Sequence, residues 1–178
     1  LVFDLLPQNK TFGKLSFEFD TLPLERKPIF LKYTLDNSES MNIIETSENN
    51  FMSRLDYAKK TLIDMFKGMV ELDHEIYVHV DTFSEDVVNV IDNTQITKDT
   101  IDDLIAKIDS IDTSGMTNIE KALTQTNAYI EYIQSTYRNR NILHILLTDG
   151  EPTAGIETTE GLLNLVSKKF STVFIGYG

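Results

Sequence analysis

The sequence of 178 residues contains no cysteine. Disulfide bridges and thiolate metal sites are therefore excluded, and any bound metal must be held by other ligands. The lack of cysteine also removes one reason to place the chain outside the cell, and it leaves the compartment open. No apolar run approaches the roughly 18 residues that a membrane-spanning helix needs, so membrane insertion is not expected.

Basic residues are scarce, with 16 Lys and Arg against 28 Asp and Glu and a net charge of −12. Nucleic acids and anionic membranes attract basic surfaces, so both are poor partners for this chain. The length corresponds to one domain, whose buried core is large enough to stabilise it without disulfide bridges or a structural metal. Residue 1 is Leu, and we interpret the chain as part of a longer polypeptide.

Strand-like and helix-like patterns alternate along the chain. Short apolar runs predict strands at residues 15–19, 29–35, 75–83, 86–91, 142–147 and 173–175. Apolar side chains at helical spacing predict helices at residues 51–69 and 100–108, after the turn at 114–118, and within 155–169. The expected inward faces of the first and last helices are Phe51, Leu55, Ala58, Leu62, Met65, Phe66 and Met69, and Leu162, Leu163 and Val166.

This alternation predicts an α/β fold. The expected architecture is a Rossmann-like, doubly wound and mostly parallel sheet with helices on both faces. The hairpin partner at residues 86–91 is expected to form one antiparallel edge strand. Residues 1–28 are expected to form an N-terminal extension that packs on a domain comprising residues 29–178.

Oxygen-bearing side chains follow two of the predicted strands. Residues 36–40 read Asp36-Asn37-Ser38-Glu39-Ser40 and come directly after the strand at 29–35. The most apolar strand ends in Thr148-Asp149-Gly150. Ligands of open α/β sheets bind outside the carboxyl ends of the strands, and oxygen ligands suit a hard cation such as Mg²⁺. The sequence therefore predicts a metal site at this edge of the sheet.

These residues resemble the metal-ion-dependent adhesion site of the von Willebrand factor type A domain. The resemblance rests on Asp36-x-Ser38-x-Ser40, Thr117 and Asp149, each beside the expected element. It extends from about residue 29 to residue 178 and includes residues 54–59 (RLDYAK) of the first helix and residues 148–153 (TDGEPT). Thr117 could alternatively serve as the N-cap of the helix that follows it, or it could serve in both roles.

The resemblance implies a role for each residue. Ser38 and Ser40 would bind the cation directly, and Thr117 would bind it directly or through water. Asp36 and Asp149 would hold coordinated waters or bind directly as the site rearranges. One coordination position would be left for an Asp or Glu of a protein partner. Mg²⁺ is the expected ion, and Mn²⁺ or Ca²⁺ would also accept these oxygen ligands.

Three features depart from the family pattern. Glu39 and Met116 stand where small residues, often Gly, are common. The family normally continues past the strand at 173–175 with another helix, a sixth strand and a last helix, whereas this sequence stops there. Either the sequence is truncated, or residues 1–28 cover part of the exposed edge of the sheet. A carboxylate at position 39 would add negative charge close to a bound cation and would oppose the approach of an acidic partner.

Three functions follow from this pattern. The first is a binding module without catalytic activity, which engages an acidic partner through the cation. The second is a metal-dependent hydrolase, but a haloacid-dehalogenase-type phosphatase needs Asp-x-Asp and Ser38 stands at the second position. P-loop and dinucleotide-binding glycine motifs are also missing from the sequence. The third is a scaffold domain of an intracellular assembly, such as a ubiquitin-ligase or chelatase-like complex, in which the metal is structural.

Overall fold

The computed structural model describes residues 26–47 and 50–176. The predicted strand at residues 15–19 and most of the predicted N-terminal extension lie outside the described residues. No helix in the described part of the chain is both long and apolar enough to span a membrane.

The order of elements agrees with the predicted alternation. The strands are β1 (Ile29–Asp36), β2 (Ile44–Ser47), β3 (Asn50–Ser53), β4 (Ile76–Phe83), β5 (Val87–Gln95), β6 (Asn141–Thr148) and β7 (Ser171–Gly176). The helices are α1 (Arg54–Val70), α2 (Ile101–Asp109), α3 (Ile119–Thr136) and α4 (Thr159–Leu165), with a short 3-10 helix at Glu39–Asn42.

A mixed sheet with the strand order β5-β4-β1-β6-β7 forms the centre of the fold. β4, β1, β6 and β7 run parallel, and β5 is antiparallel to β4, which confirms the predicted fold class. The strand order reverses at β1, which pairs with β4 on one side and with β6 on the other. The carboxyl ends of β1 and β6 therefore lie side by side at the switch in strand order.

The two faces of the sheet are covered by different helices. Leu31, Tyr33 and Leu35 of β1 belong to the larger apolar cluster, which also contains side chains of α1 and α2. A smaller cluster on the opposite face joins β4 and β6 to α3 and α4. Because side chains alternate along a strand, β1 contributes to both layers and is almost entirely buried.

The helix predicted at residues 51–69 begins later, at Arg54. Ser53 caps it, because its hydroxyl oxygen accepts a hydrogen bond from the Asp56 backbone N–H at 3.0 Å. Residues before the cap form the antiparallel ribbon β2–β3, so the prediction that Phe51 faces the core was wrong, and Phe51 is 78% exposed. The predicted positions Leu55, Ala58, Leu62 and Phe66 are buried.

The helix predicted within residues 155–169 is also shorter than the apolar pattern indicated. It begins after the N-cap Thr158, whose hydroxyl accepts from the Gly161 backbone N–H, and it has seven residues. Leu162 packs against the smaller apolar cluster, whereas Leu163 is 60% exposed, which corrects the prediction that both face inward. Consecutive helical residues are about 100° apart around the axis, and Leu163 lies outside the face that packs on this cluster.

An ion pair is buried in the middle of the sheet, on the face that α3 covers. Lys32 Nζ donates to Asp81 Oδ2 at 2.6 Å, and the His79 ring nitrogen Nε2 lies 2.8 Å from Asp81 Oδ1. Burial lowers the pKa of Lys32 to about 8 against the opposing effect of Asp81. Burial disfavours the charge of Asp81, but contacts with His79 and Lys32 outweigh it and hold the pKa of Asp81 below its usual range.

We expect Lys32→Met to lower the free energy of unfolding by about 3–5 kcal/mol, because it leaves the Asp81 charge buried without its cationic partner. Urea denaturation at neutral pH measures this change. The stabilisation associated with the depressed pKa of Asp81 is present at neutral pH and is lost as the pH falls, so the penalty should shrink in acid.

Lys60→Met is the matched control, since Lys60 is exposed on α1. It should change the free energy of unfolding by no more than about 0.5 kcal/mol. Equal effects of the two substitutions would show that the buried pair does not stabilise the fold.

Candidate functional site

Three loops meet at the carboxyl edge of the sheet: the segment after β1, the turn before α3, and the segment after β6. The Glu39 backbone N–H donates to the Gly115 carbonyl at 3.1 Å, which joins the first loop to the second. The Thr153 backbone N–H donates to the Thr117 carbonyl at 2.9 Å, which joins the third loop to the second. Backbone hydrogen bonds thus hold the three loops together without a ligand.

Asp36 is buried at the end of β1. Its Oδ1 accepts from the Ser38 backbone N–H at 2.8 Å, and its Oδ2 accepts from the Thr148 hydroxyl at 2.6 Å. Burial raises the pKa of Asp36, although the bonds from Ser38 and Thr148 oppose that shift. The folded protein therefore carries a carboxylate whose charge is only partly compensated by its neighbours.

A chain of oxygen atoms connects the first loop to the third. Ser38 Oγ lies 3.1 Å from Ser40 Oγ, and the Ser40 hydroxyl donates to Asp149 Oδ1 at 2.8 Å. These contacts bring together residues that are more than a hundred positions apart in the sequence. The structure therefore places Ser38, Ser40 and Asp149 in one cluster, as the sequence predicted.

Thr117 is buried in the second loop, close to the same cluster. A Cβ atom placed on Gly150 would lie 3.5 Å from Ser40 Oγ and 3.9 Å from Thr117 Oγ1, so both hydroxyls border this glycine. The alternative role of Thr117 as an N-cap is wrong. Asn118 caps α3, because its side-chain oxygen accepts from the Lys121 backbone N–H at 3.0 Å.

Arg54 also contacts this cluster, although no sequence pattern predicted a role for it. Its Nη1 donates to Asp149 Oδ2 at 2.7 Å, and the Asp149 side chain is fully buried. The only sequence signal was its place at the start of the RLDYAK segment, which gave no reason to expect contact with Asp149. Its partner comes from a loop 95 residues away, so only the tertiary structure reveals the pair.

The remaining polar residues lie at the margin of the site or away from it. Glu39 and Met116, the two departures from the family pattern, are both exposed. His144 lies within β6, where its Nε2 is 3.0 Å from Thr34 Oγ1 and burial lowers its pKa to about 3. Among the described residues, no three His, Asp or Glu side chains form a metal-binding group. A metal at this edge would therefore depend on the hydroxyl oxygens.

Solved structures with the same fold come from several kinds of protein. A von Willebrand factor type A structure from Catenulispora acidiphila has a TM-score of 0.68 and 18% identity, over 85% of this chain and 34% of that one. Proximal thread matrix protein 1 from the mussel byssus, with a zinc-occupied MIDAS motif, has a TM-score of 0.62 and 23% identity, over 86% and 36%. The PilB minor pilin from Streptococcus sanguinis has a TM-score of 0.58 and 22% identity, over 72% and 31%.

At these low identities, the structural matches show a shared fold alone. The chain spans about a third of the length of each of the three proteins. No curated protein sequence matches the chain. The family model of the von Willebrand factor type A domain matches residues 33–151, which include every predicted site residue. Because this match covers more than half of the sequence, the chain belongs to the von Willebrand factor type A domain family.

Proposed function

We propose that this domain is a non-catalytic binding module that holds a divalent cation, Mg²⁺ in the first instance, and through it engages an Asp or Glu of a protein partner. The observation that carries the proposal is the continuous chain of oxygens from Ser38 through Ser40 to Asp149. The residues that would hold the cation are Asp36, Ser38, Ser40, Thr117 and Asp149.

The spacing of these oxygens is compatible with a single bound cation. Mg²⁺ binds oxygen at about 2.0–2.1 Å, so neighbouring oxygens of its octahedron are roughly 2.9 Å apart. The Ser38–Ser40 distance of 3.1 Å and the Ser40–Asp149 distance of 2.8 Å lie on either side of that value. The two hydroxyls and the carboxylate are joined by hydrogen bonds, at separations that adjacent ligands of one ion also have.

The donor set also supports capture of a carboxylate. Three of the five proposed ligands are neutral hydroxyls, so only Asp36 and Asp149 place negative charge on the cation. When bound, the cation would supply an electrophilic centre that an incoming carboxylate can bind. Mn²⁺ and Ca²⁺ accept the same oxygen ligands and are alternative occupants.

The structural relatives agree with binding rather than catalysis, since they include a pilin and a thread matrix protein. The hydrolase alternative has little support from the site, because His79 and His144 lie within the sheet and contact Asp81 and Thr34. The net charge of −12 supports a protein partner over nucleic acid.

Asp36→Asn tests the cation site through stability. Without divalent ions the variant should melt at a higher temperature than the wild type, because the buried carboxylate is costly, as its raised pKa indicates. Mg²⁺ or Mn²⁺ at a hundredfold excess over Kd should stabilise the wild type by about 2.7 kcal/mol. That corresponds to a rise in Tm of roughly 5–11 °C, and the variant should lose it.

Ser114→Ala is the control for this experiment, since Ser114 is exposed in the loop before Thr117. It should keep the full rise in Tm. A rise of equal size in Asp36→Asn would remove Asp36 from the site.

A second experiment separates the binding module from the scaffold with a structural metal. Sodium acetate should strengthen Mn²⁺ binding relative to sodium chloride at the same ionic strength, because a carboxylate takes the position left open on the cation. Titration calorimetry measures both affinities. A tight Mn²⁺ affinity that acetate does not change would support the scaffold domain with a structural metal.

We expect no hydrolysis of p-nitrophenyl phosphate or nucleotides by the Mg²⁺-loaded protein, because the second position of the phosphatase motif is Ser38. A colorimetric phosphate assay tests this. Turnover that disappears in Asp36→Asn would assign catalysis to this site and contradict the proposal.

A further inference from the structure

Asp149 has a partner on each of its carboxylate oxygens. Oδ1 accepts from the Ser40 hydroxyl, and Oδ2 accepts from the Arg54 guanidinium at 2.7 Å. The Asp149 side chain is fully buried and that of Arg54 is only 17% exposed. Solvent screening between the two charges is therefore weak, and their interaction is strong.

The position of Arg54 in α1 is unusual for a cation. Arg54 is the first residue of that helix, where the backbone dipole carries partial positive charge and acidic side chains are preferred. The Arg54 backbone N–H donates to the Ile43 carbonyl at 3.0 Å, and Ser53 caps the helix, so its backbone is held firmly. Helix stability alone does not favour arginine at this position, whereas contact with Asp149 does.

The charge of Arg54 changes the balance at the proposed cation site. Two carboxylates, Asp36 and Asp149, would together cancel the charge of a divalent cation. Arg54 opposes the charge of Asp149, so the loaded site is more positive with Arg54 than it would be without it. An incoming carboxylate is therefore attracted more strongly than it would be without Arg54, which favours an anionic ligand over a neutral one.

We propose that Arg54 is a specificity-determining residue: by offsetting the charge of Asp149, it weakens binding of the cation alone and strengthens capture of a partner's carboxylate. This inference rests on the proposed function, since it concerns the ligand preference of that same site. It predicts effects of opposite sign on the two affinities, which a purely structural role for Arg54 would not produce.

The experiment compares Arg54→Gln with the wild type by calorimetric titration of Mn²⁺, in sodium chloride and in sodium acetate at equal ionic strength. In chloride, Arg54→Gln should bind Mn²⁺ several-fold more tightly. In acetate, the gain in affinity seen for the wild type should fall to near zero. Arg54→Lys, which keeps the charge, should retain most of the acetate effect.

Arg26→Gln is the matched control. It removes the same charge from an exposed ion pair with Asp73, at the end of the sheet opposite to the site. Both affinities should equal those of the wild type. Arg54→Met, which keeps much of the apolar stem, replaces the Gln variant if that protein does not fold.

Weaker binding of both Mn²⁺ and acetate in Arg54→Gln would overturn the inference and leave Arg54 as a structural support. Affinities equal to those of Arg26→Gln would also overturn it, and in both cases the proposed function would stand. Failure of the wild type to bind Mn²⁺ would instead overturn the proposed function, and the role of Arg54 with it.

Discussion

The parallel pairing of β1 with β6 determines the arrangement of the site. Leu35 lies opposite Leu147 in that register, so the next residues along the two strands, Asp36 and Thr148, meet at the carboxyl edge. The hydrogen bond from the Thr148 hydroxyl to Asp36 follows from this register. A shift of one residue would move every side chain of a strand to the opposite face, so the apolar layers that cover both faces also hold the site in place.

Buried charges have different partners in the core and at the candidate site. Lys32 and Asp81 form a direct ion pair beneath α3, so each charge has an opposite charge in contact with it. Within the described part of the chain, Asp36 accepts hydrogen bonds from two neutral groups, the Ser38 backbone N–H and the Thr148 hydroxyl. Desolvation raises the pKa of Asp36, while the contacts of Asp81 lower its pKa. An incompletely compensated carboxylate disfavours folding but can interact strongly with a cation, and we interpret Asp36 in this way.

Arg54 links the helix layer to the site. It starts α1, the helix that packs on the larger apolar cluster, and its guanidinium contacts Asp149 beyond the end of β6. The position of the guanidinium thus depends on the N-cap at Ser53 and on the packing of residues such as Leu55. The role that we propose for Arg54 therefore depends on where α1 begins.

Local sequence determined much of this protein. The apolar runs were sufficient to predict β1, β4 and β6, since each buried strand has a pattern that does not depend on its neighbours. The motif at residues 36–40 and Asp149 could be predicted to lie at one edge because carboxyl ends of parallel strands share an edge. The structure confirms that Ser38, Ser40 and Asp149 lie together.

The start of α1 and the partner of Asp149 were determined by the tertiary structure. Phe51 has the spacing of a core residue of α1. The helix begins only after the cap at Ser53, however, so Phe51 lies outside it and is exposed on the β2–β3 ribbon. The contact between Arg54 and Asp149 joins residues 95 positions apart in the sequence, and a local sequence pattern cannot predict such a pair. Periodicity reports which face of an element is apolar, whereas helix starts and ion-pair partners depend on contacts that form only when distant segments pack together.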